Sequence, residues 1–336
     1  MTPMVLPVIA AIVLAGATTA FVTPLVQKLA SHVGMVDEVG ERRMHEQPKP
    51  RIGGIAVYLG FAFALFSLLG YLIATKQLSR LDEIHDIIGM LFGGTLILMV
   101  GVWDDVMGMR ARNKFIAQVV VAGISLLYGF IISYVNNPFH HGEPIYFAMP
   151  IAVVVTMVWY LGMMNAINFV DGLDGLLPGL TAISGLSLMV IELVHGHPEL
   201  ALVLAALVGA SLGFLPFNFN PAKIILGDSG ALFIGYIFAT ISITGASKTA
   251  ISISLLVPLI VLALPILDTA VTIVRRTRAG KKITEADRGH FHHQLIFRFG
   301  LHVRQAVLLI YALCFVLGVT ALLLSGGIGS LKLVGK

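Results

Sequence analysis

Four short stretches of this sequence combine carboxylates, carboxamides and cations at close spacing. "WDDVMGMRARNKF" carries Asp104, Asp105, Arg110, Arg112 and Lys114. "NAINFVDGLDG" places Asn165, Asn168, Asp171 and Asp174 three residues apart. "FNFNPAKIILGDSG" carries Asn218, Asn220, Lys223 and Asp228, and "DRGHFHHQL" carries Asp287, Arg288, His290, His292 and His293. Asp and Asn supply hard oxygens of the kind that magnesium takes, and magnesium prefers a few protein ligands together with substrate phosphates. The adjacent Asp104 and Asp105 repel each other, and a nearby cation relieves them. Lys114, Lys223 and Arg288 can neutralise further phosphate charge. The chemistry that fits is a Mg-nucleotide or diphosphate site.

The setting sharpens that reading. The chain has 336 residues, of which 57% are hydrophobic and 12% charged, which puts it in the polytopic membrane class. An ionised aspartate at mid-bilayer costs about 2.5–3.5 kcal/mol on insertion scales, so such groups persist where they pair, bind an ion or line a wet cavity. Apolar runs of about 18–24 residues suit helices crossing a hydrocarbon core of about 30 Å. Ten are expected: 4–26, 52–74, 86–103, 115–134, 147–166, 175–194, 199–216, 230–247, 251–274 and 305–326. The first has no basic n-region and is read as an uncleaved helix. Gly53, Gly54 and Gly60 mark faces where helices approach closely. The expected fold is all-α, a single integral-membrane domain over residues 1–336. The lone Cys314 is a packing residue.

Loop charge sets the orientation. With loops assigned alternately, seventeen of the 22 Lys and Arg fall on one side, including Arg51, Lys114, Lys223 and the run Arg275 to Lys282. The positive-inside rule puts that side in the cytoplasm and both termini outside. All four polar clusters lie on the same cytoplasmic side. The basic residues are spread over four loops with no nucleic-acid motif, so no nucleic-acid partner is expected.

The stretch from Asn165 to Gly175 must position its groups at a helix end. Steps of three turn 300° on an α-helix, so the four side chains cover a broad face. Gly172 and Gly175 weaken helical continuity. The pattern predicts a helix ending near Asn168, a short turn, then a second helix. A break at membrane depth is tolerated where it lines a cavity.

These motifs, in this order, resemble the polyprenyl-phosphate N-acetylhexosamine-1-phosphate transferase family and, more distantly, the enzyme that forms lipid I of peptidoglycan. The resemblance covers nearly the whole chain, from "HEQPKPRIGG" to "HFHHQL". "DRGHFHHQL" is closer to the N-acetylglucosamine branch. Ser229 and Ala231 depart slightly, since many members have Thr and Ser there. The resemblance implies transfer of a sugar 1-phosphate from a UDP-N-acetylhexosamine to a polyprenyl phosphate in the bacterial cytoplasmic membrane, with UMP released and Mg²⁺, or Mn²⁺, required. It implies Asp228 and Asn168 as metal ligands. Asp104 or Asp105 would help the lipid phosphate attack, as base or by positioning, and Lys114 would hold that phosphate or the diphosphate. Asn165, Asp171 and Asp174, with Asn218 nearby, would meet the uridine and diphosphate. Arg288, His290, His292 and His293 would contact the diphosphate or sugar. Homodimers are common in the family.

Plainer roles stand beside these. Asp104 and Asp105 could cap a loop and answer Arg110 and Arg112. Asn165 and Asn168 could be interhelical hydrogen-bond glue. The histidines could bind zinc or sit on a solvated loop, although no cysteine lies near. Asp268 could pair with Arg275 or Arg276, or border the site. His45 and Arg51 could hold a lipid phosphate or face headgroups. His195 and His197 fall on the outer side as structural residues. An ion-coupled transporter is the alternative function. It would place acids near mid-membrane and show pseudo-symmetric halves, and neither feature is visible.

Overall fold

Long apolar runs with few internal charges satisfy their backbone groups in lipid only as helices. The computed structural model describes residues 2–37, 49–75, 81–136, 144–248, 256–278 and 290–326, and helix dominates there. The helices are α1 (Thr2–Val33), α2 (Gly53–Ala74), α3 (Leu81–Met107), α4 (Ala111–Leu127), α5 (Met149–Val170) and α6 (Leu176–His195). They continue with α7 (Pro198–Asn218), α8 (Gly227–Lys248), α9 (Leu256–Val261), α10 (Ala263–Arg278), α11 (Phe291–Phe297) and α12 (Val303–Leu324). Two antiparallel ribbons complete the described residues: β1 (Val36–Asp37) with β2 (Lys49–Pro50), and β3 (Tyr134–Asn136) with β4 (Pro144–Tyr146). The chain is an all-α polytopic membrane protein.

Among the described residues, eight helices are long and apolar enough to cross a membrane. Two of the ten expected spans differ. The fourth, α4, has 17 residues, about 25 Å of helix. The ninth breaks between Val261 and Ala263 into α9 and α10. Beyond that break α10 is two-faced. It buries Pro265, Thr269, Thr272 and Arg276 and exposes Leu267, Val271 and Val274.

α8 is the central helix. All of its best apolar window is buried, against 28% for α1 and for α12, whose outer faces carry exposed Leu6, Phe21, Phe315 and Val316. Small residues let α2 and α3 reach its first turn. A Cβ on Gly54 would collide with the Gly230 backbone, and one on Gly101 would lie 2.6 Å from the Ser229 nitrogen. Gly60 likewise faces Thr19 of α1, so all three glycines singled out in the sequence lie at close approaches.

The segment entering α2 is fastened to the segment entering α8. Ile225 N–H donates to the Pro50 carbonyl at 2.8 Å, Gly53 N–H to Ile225 at 3.0 Å and Gly54 N–H to Leu226 at 2.7 Å. These bonds lay Arg51 over the start of α8. Gly227 has φ +78°, and a Cβ there would lie 2.6 Å from Asp105 Oδ2. Glycine is the residue that both the backbone angle and the space permit.

Candidate active site

The first turn of α8, the last turn of α3, the start of α4 and the end of α5 meet around Asp228. Asp228 Oδ1 accepts from Asn168 Nδ2 at 2.6 Å. Its Oδ2 pairs with Lys114 Nζ at 2.9 Å and with Arg51 at 3.3 Å. Lys114 Nζ also lies 2.9 Å from Asp104 Oδ2 and 3.5 Å from Asn168 Oδ1. One ammonium therefore sits where oxygens from three helices converge, with Asp104 on α3, Asn168 on α5 and Asp228 on α8.

The two adjacent aspartates have different work. Asp105 is fully buried. Its Oδ1 accepts from the Asp228 N–H at 2.8 Å, its Oδ2 from the Ser229 N–H at 2.9 Å, and Arg51 Nε lies 3.1 Å from Oδ1. It thus caps the N-terminus of α8, where orphan amides and the helix dipole favour an anion. Asp104 points one oxygen at Lys114 and receives the Met109 N–H on the other at 2.7 Å, closing the end of α3. Both do local capping, and only Asp104 also offers an oxygen to the cluster. Neither answers Arg110 or Arg112. Arg51 enters the site from just after β2, far away in sequence, and contacts Asp105 and Asp228, where the sequence had left it open between holding a lipid phosphate and facing headgroups.

The α5–α6 junction follows the expected break, two residues late. α5 ends at Val170, residues 171–175 turn, and α6 starts at Leu176 with Gly175 at φ +83°. Helix continues through Asn168 because its side chain is tied to Asp228. Asp171 makes no hydrogen bond or ion pair among the described residues. Burial, then the charges of Asp228 and Asp105, push its carboxyl up to about 8.

Three residues expected to touch substrate make structural hydrogen bonds. Asn218 is 3% exposed, accepts from Gly175 N–H at 2.9 Å and donates to the Ile224 carbonyl at 2.8 Å, so it locks two turns together. Asp174 Oδ2 accepts from Lys49 Nζ at 3.1 Å, Ala222 N–H at 2.9 Å and Asn220 Nδ2 at 3.3 Å. Asn165 gives its amide hydrogens to Gln118 Oε1 and the Leu161 carbonyl, both at 2.8 Å, and so joins α5 to α4. In each case nearby backbone or side-chain partners take up part of the side chain's hydrogen-bonding capacity.

The histidine motif begins a short helix. His290 is the N-cap of α11, because Asp268 accepts from both His290 Nδ1 and the Phe291 N–H. Asp268 thus turns to the histidines and not to Arg275 or Arg276. His290 and His292 stack with their rings 9° apart, and His290 meets Phe169, next to Asn168. His292 is buried against Gly172, where a Cβ would collide with its Nε2. Burial first, then the neighbouring His293, pull its pKa down to about 3, so the ring is neutral. It packs against the 168–172 strip instead of offering a charge. His293 follows in the same turn, its ring 4.3 Å from that of His292. Arg288 and His45 lie outside the described residues.

The donor set fits the expected magnesium. Among the described residues no three His, Cys, Asp or Glu form a ready-made cage. Asp228, Asp104 and the Asn168 oxygen already converge on a cation, the Lys114 ammonium. Two carboxylates and a carboxamide match an ion that keeps water and phosphate in its remaining positions.

The family described as Glycosyl transferase family 4 matches residues 87–246, which include every described residue of the Asp228 cluster except Arg51. A Bacillus subtilis protein named "Probable undecaprenyl-phosphate N-acetylglucosaminyl 1-phosphate transferase" is 35% identical, over 94% of this chain and 85% of its own length. A Mycolicibacterium smegmatis decaprenyl-phosphate N-acetylglucosaminephosphotransferase is 36% identical, over 87% of this chain and 76% of its own. The Escherichia coli K12 undecaprenyl-phosphate alpha-N-acetylglucosaminyl 1-phosphate transferase is 30% identical, over 84% and 75%. With this similarity along nearly its whole length, the chain belongs to the polyprenyl-phosphate N-acetylglucosamine-1-phosphate transferases of glycosyl transferase family 4.

Proposed function

We propose that this protein transfers N-acetylglucosamine 1-phosphate from UDP-N-acetylglucosamine to undecaprenyl phosphate, starting a cell-envelope glycan. A lipid phosphate oxygen attacks the sugar-bearing phosphorus, a new diphosphate bond forms, and UMP leaves with the bridging oxygen. The observation that carries the reading is the convergence of Asp104, Asn168 and Asp228 on one cation, within a chain similar along its length to named transferases of this kind.

Both substrates are anionic, so the protein's main task is to hold them in line and offset their charge. Lys114 and Arg51, which rest on carboxylates, are the cations that incoming phosphates would draw away. Mg²⁺, held by Asp228 and Asn168 with Asp104 beside them, would supply charge neutralisation and alignment at the diphosphate. Asp104 is the aspartate placed to orient the lipid phosphate. That phosphate's last ionisation lies near neutral pH, so positioning matters more than proton removal. The loop charge supports placing this face on the cytoplasmic side of the bacterial inner membrane, where nucleotide sugars are made.

The test is UMP release by purified protein, with and without undecaprenyl phosphate and Mg²⁺, and mass spectrometry of the lipid product across a panel of UDP-sugars. Lipid-dependent UMP release with an N-acetylglucosamine diphospholipid product is expected. Nucleotide release independent of lipid, or no release with any UDP-sugar, would reject the reading.

A further inference from the structure

Asp268 grips the histidine loop at two adjacent points. Its Oδ2 accepts from His290 Nδ1 at 2.9 Å, and its Oδ1 accepts from the Phe291 N–H at 2.8 Å. Thr272, one turn further along α10, brings Oγ1 to 3.4 Å from the same Nδ1. The ring is held on its faces too, with His292 at 5.8 Å and Phe169 at 5.5 Å between centroids. His290 is 6% exposed, and its Nε2 makes no hydrogen bond among the described residues. A ring so tightly fixed, with a single nitrogen left over, is pre-organised for one contact.

The position indicates what that contact is. Phe169 follows Asn168, whose amide is bonded to Asp228, so the ring stands beside the cluster where phosphates are expected. Phosphate oxygens only accept. With Nδ1–H committed to Asp268, the donor left to reach such an oxygen is Nε2–H, and the Asp268 carboxylate fixes the direction in which it points. We propose that Asp268 is a positioning residue for the transfer reaction, fixing His290 so that Nε2–H meets an oxygen of the nucleotide-sugar diphosphate. This deepens the transferase reading and rests on it.

Asp268→Asn separates the structural from the electrostatic role. The carboxamide oxygen can still cap Phe291, while its NH₂ replaces the oxygen that accepts from Nδ1 and releases the ring from its fixed direction. The expected result is a fall of about 10- to 100-fold in kcat/KM for UDP-N-acetylglucosamine. KM for undecaprenyl phosphate and the melting temperature in detergent should stay near wild type. In a His290→Gln background the same change should have less than about a twofold further effect, because its target is gone. Calorimetric binding of UDP should weaken with either single variant, again without addition in the double. Multiplying effects of Asp268→Asn and His290→Gln, or wild-type turnover and UDP binding by Asp268→Asn, would overturn the inference. Absence of UMP release by the wild type would reject the transferase reading instead. The UDP-binding cycle then decides on its own, with unchanged binding in the two single variants counting against Asp268.

Discussion

The two ends of α8 bury acids in opposite ways. At the far end from Asp228, Glu192 Oε2 meets His197 Nδ1 at 2.8 Å, and a Cβ on neighbouring Gly245 of α8 would lie 2.5 Å from Glu192 Oε1. His195 Nε2 lies 3.1 Å from the Ser325 carbonyl. Those contacts join the α6–α7 turn to α8 and α12, an acid to a base and a ring to a carbonyl. At the near end, Asp104, Asp105 and Asp228 share Lys114 and Arg51, and Asp171 has no partner among the described residues. The far end is a satisfied joint. The near end holds more carboxylate than cation, an arrangement that persists where a further cation completes it.

The contrast can be broken hardest at Asp228. Replacing it with Ala should lower kcat by about a thousandfold, since it removes the oxygen on which Asn168, Lys114 and Arg51 all converge. Turnover near wild type after chelation and re-addition of Mg²⁺ would sink the metal assignment. Next come the adjacent aspartates. Asp104→Asn should lower kcat with little change in melting temperature. Asp105→Ala should also unfold more easily, by about 1–3 kcal/mol, because two amides of α8 lose their acceptor. Equal, small losses at both positions would return the pair to simple loop capping.

Asp171 sharpens the comparison through pH. Its carboxyl titrates near 8 in the folded chain against an ordinary value of 3.8. Between those values the folded state holds a proton that the unfolded state has released. This contribution to stability is therefore largest below about pH 4 and is lost as pH rises toward 8. In metal-free protein, Asp171→Asn should remove that part of the decline, so the variant gains on wild type between pH 5 and 8 in thermal melts. Parallel wild-type and variant curves would show that the carboxylate is already compensated. The smallest effect on catalysis is expected at the far end. His197→Ala should destabilise by about 1–3 kcal/mol while kcat and both KM values hold. A loss of turnover in the folded variant would mean the two ends are coupled.

The bilayer explains what could be read directly. Twenty-residue apolar runs must be helices, charges must gather at their ends, and loop charge is asymmetric, so the class of fold and the four polar clusters stood out. Asp104, Lys114, Asn168 and Asp228, which the fold gathers into one cluster, could be picked out together because carboxylates, amides and a lysine at membrane boundaries have few structural reasons to coincide. Asp174 and Asn218 carried the same signal, yet both fasten turns. A carboxylate that caps backbone amides and one that meets a phosphate look alike until the distances are known.

Arg51 and Asp268 show the reverse case. One lies in a basic loop and the other in an apolar run, and spacing and composition left each open between a structural role and a place at the site. The hydrogen bonds between residues 50–54 and 225–226 carry Arg51 onto Asp228, and the break after α9 turns Asp268 toward His290. Sequence determined which residue types lie at the ends of which helices, because hydrophobic period and charge are local properties. Tertiary structure decided which of them share an oxygen or a proton, because that depends on contacts between residues 22 to 177 positions apart.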